Sequence, residues 1–162
     1  MTIPFRVKLL TPTAKPPHRN CESDLWDLYA DDFCVDALIP KVKYIKYVDE
    51  GLVLYPNGRI LVKTGITLEL PQLGVIGHRE SWTFYEAEID KLIAYAVADL
   101  RPRSDNLEQK GLFIESKIIK SDEISFIAIN HGHEPIIINK GDAIAKMIVY
   151  PFYASKMEVV DN

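Results

Sequence analysis

Two arginines and a serine stand close together in the segment Arg101-Pro102-Arg103-Ser104, next to a predicted turn. Arginine carries a planar fork of donors that matches phosphate oxygens, and a proline fixes the local backbone. Arg101, Arg103 and Ser104 are therefore candidate phosphate-binding residues. The alternative is a solvated loop with two incidental arginines, which composition alone favours.

A group of aspartates lies near the start of the chain: Asp24, Asp27, Asp31 and Asp32. Carboxylate oxygens are hard ligands, and Mg²⁺ is usually held by one or two of them together with phosphate and water. Asp27 differs from the others because it lies inside an apolar run, where a carboxylate needs a partner. Asp27 is the candidate metal ligand, and a charged strand end is the alternative for the group.

The segment His131-Gly132-His133 places two histidines on one face if it is extended, which is compatible with a metal. No third ligand has a suitable spacing, so a turn with two exposed histidines is the better interpretation. The sequence has no paired-cysteine motif, no phosphate-binding glycine loop of the usual spacing and no nucleophile elbow.

The composition is that of one globular domain spanning residues 1–162, with 48% hydrophobic and 26% charged residues. The net charge of −4 gives no field that would attract a nucleic-acid polymer or an anionic membrane.

The two cysteines, Cys21 and Cys34, are too few for a disulfide scaffold and indicate free thiols in a reducing compartment. Since the first residues lack the apolar stretch of a signal peptide, we expect a cytoplasmic protein of a microbe or a virus-infected cell.

Short β-like runs separated by turns predict an all-β sandwich or barrel that must position these residues. The runs are Val7–Leu10, Ser23–Ala30, Lys41–Val48, Leu52–Tyr55, Arg59–Lys63, Thr64–Leu70, Leu112–Ile114, Glu123–Ile129, Pro135–Ile138 and Ala143–Tyr150.

One segment has a different periodicity. Thr83 and Glu86 fit a capping box, and apolar residues follow at helical spacing, which predicts a short helix over 84–95. The alternative is a pair of strands, Trp82–Ala87 and Ile93–Leu100, joined by a turn.

Taken in order, several segments resemble motifs of the trimeric dUTPase family, which shares a superfamily with the dCTP deaminases. The segments are Ser23–Ala30, with its aromatic-Asp-Leu-x-Ala pattern; Lys63–Pro71; Arg101–Ser104 followed by Lys110-Gly111-Leu112; and Asn130–Pro135 followed by Lys140–Ala145. They extend across nearly the whole chain.

The resemblance implies a distorted β-barrel or jelly-roll protomer that assembles as a homotrimer with active sites at subunit contacts. It also implies a deoxynucleoside triphosphate bound with Mg²⁺. Arg103 and Ser104 would then grip phosphate, and Asp27 would hold the metal through water. Asn130 and Gly132 are further nucleotide-binding candidates.

The segment corresponding to the family's third motif, Ser116–Glu123, departs from the pattern. It is several residues shorter, and Lys120 stands where the family has the aspartate that positions the attacking water. An ammonium group cannot accept a proton at neutral pH. Asp122 and Glu123 are therefore the candidate replacement bases.

Other departures affect the phosphate site. Lys146 replaces a phosphate-facing glutamine, which strengthens anion binding, and Asp105 replaces a glycine. The family's glycine-rich C-terminal motif is absent from the tail over 152–162, and an insertion over about 74–94 precedes the Arg-Ser element.

These observations lead to two hypotheses. The first is a nucleotide-binding protein with an intersubunit phosphate pocket (Arg101, Arg103, Ser104, Lys146) and impaired or lost dUTP hydrolysis. The alternative is an active, divergent, Mg²⁺-dependent dUTP or dNTP diphosphatase. Deamination of dCTP is rejected, because the segment Ile124–Ile129 lacks the carboxylate that the deaminases carry before the asparagine.

Overall fold

The structure is a computed structural model that describes residues 3, 5–19, 25–35, 44–78, 81–86, 94–102, 109–115, 118–119 and 123–153. These residues form fifteen strands: β1 (Arg6–Leu9), β2 (His18–Arg19), β3 (Trp26–Tyr29), β4 (Asp32–Cys34), β5 (Ile45–Val48), β6 (Gly51–Leu54), β7 (Arg59–Glu69), β8 (Gln72–His78), β9 (Ser81–Glu86), β10 (Ala94–Pro102), β11 (Leu112–Ile114), β12 (Ile118–Ile119), β13 (Glu123–Asn130), β14 (Ile136–Asn139) and β15 (Ala143–Tyr153). The all-β prediction is confirmed.

The strands form three sheets that do not close into a continuous ladder. A five-stranded sheet has the order β1-β7-β13-β11, with β4 also paired to β7. A seven-stranded sheet has the order β2-β3-β15-β10-β8-β9, with β12 paired to β10. The third sheet has the order β14-β6-β5. This arrangement matches the predicted distorted barrel.

One hydrophobic core joins the three sheets. Along β13 every second residue from Ile124 to Asn130 is buried, as the period of a strand with one core face requires. Leu28 from the seven-stranded sheet, Leu54 from the three-stranded sheet and Ile60 from the five-stranded sheet belong to the same buried cluster.

Strand β7 has 11 residues, and it continues through a glycine where the sequence predicted two separate runs. Gly65 has a φ of +64°, in the left-handed region that favours glycine. The loop after β1 packs on it: the Leu10 N–H donates to the Gly65 carbonyl at 2.7 Å. The Thr11 hydroxyl in turn donates to the Asp31 carboxylate at 2.8 Å.

Gly65→Ala is expected to lower the free energy of unfolding by about 3 kcal/mol, which chemical denaturation measures. A left-handed alanine costs about 1–2 kcal/mol, and overpacking adds a similar amount. The new Cβ would lie 2.6 Å from Asp31 Oδ2 and 2.9 Å from both Ala14 Cβ and Thr11 Oγ1.

Gly141→Ala is the matched control. Gly141 also has a positive φ, of +85°, but its Cβ would meet only the end of the Lys15 side chain. The control should therefore lose only about 1 kcal/mol. Equal losses in the two variants would contradict the packing argument at Gly65.

The helix predicted over 84–95 is wrong at every position that the structure describes. Residues 84–86 belong to β9 and residues 94–95 to β10, whereas 87–93 lie outside the described residues. β8 and β9 pair in antiparallel register from Leu73↔Glu86 to His78↔Ser81. Strand pairing therefore overrides the local helical spacing. In the region of the predicted insertion over 74–94, β8 and β9 form an antiparallel pair that belongs to the seven-stranded sheet.

Within the described residues, no helix is long and apolar enough to span a membrane.

Candidate functional site

Four polar residues from four adjacent strands of the seven-stranded sheet stand directly opposite one another. His18 on β2 pairs with Asp27 on β3, Asp27 pairs with Lys146 on β15, and Lys146 pairs with Arg101 on β10. Directly opposed residues of antiparallel strands project from the same face of a sheet. We call His18, Asp27, Lys146 and Arg101 the charged row.

The charged row lies on the face of the sheet that points away from the core. Its chain neighbours Leu28, Leu100, Ala145 and Met147 are all buried in the core cluster. Because side chains alternate along a strand, the residues of the row project to the opposite side. Alternation and register therefore place three of the predicted site residues, Asp27, Lys146 and Arg101, side by side on the outer face of the sheet.

Arg101 is bound within the protein by Asp99, two residues earlier on β10. Its Nε and Nη2 donate to Asp99 Oδ2 at 2.8 and 2.6 Å. The Asp99 side chain is only 9% exposed, whereas the Arg101 side chain is 60% exposed. Asp99 therefore neutralises much of the Arg101 charge and orients the guanidinium, whose remaining N–H groups stay accessible.

Lys146 is half-buried between Asp27 and Arg101. No ion pair or hydrogen bond holds its ammonium group in the part of the chain that the structure describes. Since Asp99 already compensates Arg101, Lys146 is the stronger positive charge of the row toward an incoming anion.

The structure separates the aspartates that are close in the sequence. Asp27 belongs to the charged row, and its Oδ1 is buried. Asp31 is 6% exposed and accepts a hydrogen bond from Thr11. Asp32 pairs with Lys140 at 2.8 Å, and this hydrogen bond lowers the pKa of the Asp32 carboxyl. Asp24 lies outside the described residues, and among the described aspartates of this group Asp27 is the one that belongs to the charged row.

Asn130 holds a turn together through its buried side chain. It is fully buried; its Nδ2 donates to the carbonyls of Leu54 and Glu134, each at 2.8 Å. Its Oδ1 accepts the Gly132 N–H at 2.8 Å. The protein therefore already uses both amide hydrogens of Asn130 and the N–H of Gly132, and a nucleotide contact by these two residues stays a prediction.

Three predicted site residues, Arg103, Ser104 and Asp122, lie outside the described residues. Arg103 follows Pro102, the last residue of β10, directly in the chain. Glu123 is exposed at the start of β13, in the five-stranded sheet, and not in the sheet of the charged row.

The histidines of the turn after β13 belong to no metal-binding cluster among the described residues. His131 lies against the exposed ring of Phe113, with 5.7 Å between ring centroids. Among the described residues there is no group of three or more side chains of the types that bind metals.

Sequence reasoning missed His18, the fourth member of the charged row. Its strand β2 has only two residues and lies between a proline-rich loop and residues outside the described part of the chain. Only the register of β2 against β3 shows that His18 faces the same side as Asp27.

Comparison with known proteins agrees with this architecture. The family model described as dUTPase matches residues 89–162. A deoxyuridine 5'-triphosphate nucleotidohydrolase of Hydrogenobaculum sp. (strain Y04AAS1) is 35% identical over 119 residues, which are 70% of this chain and 66% of that protein. The enzyme of the same name from Anaplasma marginale (strain St. Maries) is 32% identical over 120 residues, 71% of this chain and 67% of that protein.

Solved structures show the same fold. A mutant of the dUTPase of Staphylococcus bacteriophage 80alpha, in a structure with dUpNHpp, has a TM-score of 0.64 at 18% identity and covers 99% of this chain and 98% of its own. A mutant dUTPase from phage phi11 of S. aureus, described as coordinating a structural Mg(II) ion, has a TM-score of 0.65 at 16% identity, with coverages of 98% and 97%. The sequence relatives, the family model and the fold agree, and the chain belongs to the dUTPase family.

Proposed function

We propose that this chain is a Mg²⁺-dependent dUTP diphosphatase, which converts dUTP and water to dUMP and diphosphate. The observation that carries the proposal is the register of Asp27 opposite Lys146 on the outer face of one sheet. This pair offers a carboxylate for a metal and an ammonium for a phosphate, on residues whose Cβ atoms lie about 5 Å apart. The names of the relatives add support, since both are deoxyuridine 5'-triphosphate nucleotidohydrolases.

The residues of the charged row fit Mg²⁺ that arrives with a nucleotide. Mg²⁺ keeps most of its waters and is usually held by one or two carboxylates together with substrate phosphates. Asp27 supplies one such carboxylate, and the described residues offer no cage of three or more metal-binding side chains. When bound, the ion would neutralise charge on the phosphate oxygens.

The protein's own residues would orient the triphosphate and activate water. Lys146 and the accessible N–H groups of Arg101 would hold phosphate oxygens, together with Arg103 and Ser104 just beyond β10. Asp122 or Glu123 would accept the proton of the attacking water. The oxygen of that water bonds to the α-phosphorus, and the bond to the bridging oxygen breaks with its electron pair leaving on diphosphate.

Glu123 and the charged row lie in different sheets, which favours a site completed by a neighbouring subunit. We therefore propose that the chain forms a homotrimer whose subunits share active sites. We also propose that it acts in the cytoplasm of a microbial or virus-infected cell. Light scattering should give the mass of a trimer. A monomer with full activity would contradict the shared site.

A second function, nucleotide binding without turnover, is favoured by Lys120 at the position of the family's water-positioning aspartate. Incubation of the purified protein with Mg²⁺ and each dNTP, followed by measurement of diphosphate and monophosphate, separates the two. We expect turnover of dUTP. Tight binding of a non-hydrolysable dUTP analogue with no turnover of any dNTP would establish the second function instead, and absence of both binding and turnover would exclude both.

A further inference from the structure

We propose that His18 is a phosphate-contacting residue that extends the nucleotide site by one strand. This inference rests on the proposed function, because it assigns a ligand contact within the same site. His18 lies outside all the segments of the sequence that resemble motifs of the dUTPase family.

The position of His18 follows from strand pairing. Among the described strands, β2 lies at the edge of the seven-stranded sheet and pairs with β3, in the register His18↔Asp27 and Arg19↔Trp26. Adjacent strands lie about 4.8 Å apart, and opposed side chains share a face. The imidazole therefore stands beside Asp27, on the side opposite to Lys146.

The imidazole of His18 is exposed and available. Within the described part of the chain no hydrogen bond, ion pair or ring contact involves it. His131, by comparison, packs against Phe113. A neutral imidazole always carries one N–H donor, so a contact from His18 to a phosphate oxygen does not require a protonated ring.

The charges along the row indicate what His18 would contact. On one side of Asp27, Lys146 provides a positive charge, and beyond it Arg101 is already bound to Asp99. On the other side, His18 is the donor that the register places directly opposite Asp27. A phosphate chain held next to Asp27 would therefore have a donor on each side, Lys146 from β15 and His18 from β2.

The segment before β2 restricts where His18 can lie. Pro16 and Pro17 directly precede it and limit the backbone to a narrow range of φ. Both prolines line an apolar pocket with Phe5 and Trp26. The rings of Phe5 and Trp26 meet edge to face, with 5.3 Å between centroids. This packing supports β2 against β3, so little ordering of the backbone is needed when His18 meets a ligand.

Calorimetric titration of purified His18 variants with a non-hydrolysable dUTP analogue in Mg²⁺, and separately with dUMP, tests the inference. His18→Ala should weaken binding of the analogue about tenfold, the cost of one hydrogen bond to a charged group, and should weaken binding of dUMP, which has one phosphate instead of three, by a smaller factor. His18→Asn keeps a side-chain N–H donor and should recover part of the loss. Lys46→Ala, an exposed cation on β5 in another sheet, should bind as the wild type does.

The outcomes separate this inference from the proposed function. If the wild type binds the analogue and His18→Ala binds it equally well, the inference is overturned and the proposed function stands. If His18→Ala loses equal affinity for the analogue and for dUMP and also melts at a lower temperature, His18 has a purely structural role. That result would also overturn the inference. A wild type that does not bind the analogue would overturn the proposed function itself.

Discussion

Replacing Asp27 by asparagine is expected to lower kcat/KM for dUTP in the presence of Mg²⁺ by about 100-fold, as loss of a metal-orienting carboxylate does in other enzymes. Asparagine has the same shape but lacks the negative charge that would hold the metal beside the phosphates. It also leaves the neighbouring Lys146 without the carboxylate registered opposite to it. Steady-state assays of diphosphate release measure the effect.

Asp32→Asn is the matched control for this substitution. Asp32 lies five residues later, is exposed and pairs with Lys140, and its strand β4 belongs to the five-stranded sheet and not to the sheet of the charged row. Its loss should change kcat/KM by less than about twofold, since exposed ion pairs contribute little. An Asp27→Asn enzyme within about threefold of the wild type would remove Asp27 from the mechanism.

Asn130→Ala is expected to cost about 3–4 kcal/mol of unfolding free energy, because it removes all three hydrogen bonds of a buried side chain in one step. The Leu54 and Glu134 carbonyls would lose a donor and the Gly132 N–H would lose its acceptor. For a domain of this size the melting temperature should fall by about 10 °C, which thermal denaturation followed by circular dichroism measures.

Asn139→Ala provides the comparison. Asn139 is exposed at the end of β14, and its hydrogen bonds with Asp142 involve its backbone N–H and C=O. Its replacement should leave the melting temperature within about 2 °C. If Asn130→Ala instead unfolds like the wild type and loses nucleotide affinity, Asn130 is a ligand, as the family resemblance implies.

Strand periodicity made much of the fold predictable. The short apolar runs that form β13 and β7 predicted the right class of structure. The helix is wrong for residues 84–86 and 94–95 because helical spacing and strand pairing compete there, and strand pairing is non-local, as between β9 and β8. The local sequence pattern of a strand does not show which other strand lies next to it in the sheet.

The candidate site was only partly predictable for the same reason. Residue type and family resemblance predict Asp27, Lys146 and Arg101 only as separate candidates. Their alignment across three strands depends on the register of those strands. Register also separates Asp27 from Asp31 and Asp32, which the sequence grouped together. His18 and the structural role of Asn130 depend on contacts between distant segments, so they emerge only from the fold.

A crystal structure with Mg²⁺ and the α,β-imido analogue of dUTP tests the central claim most directly. We predict that the triphosphate lies along the charged row, with Lys146 Nζ hydrogen-bonded to a phosphate oxygen and Mg²⁺ beside the Asp27 carboxylate. A triphosphate bound elsewhere, with Asp27 and Lys146 in contact only with each other or with solvent, would contradict it.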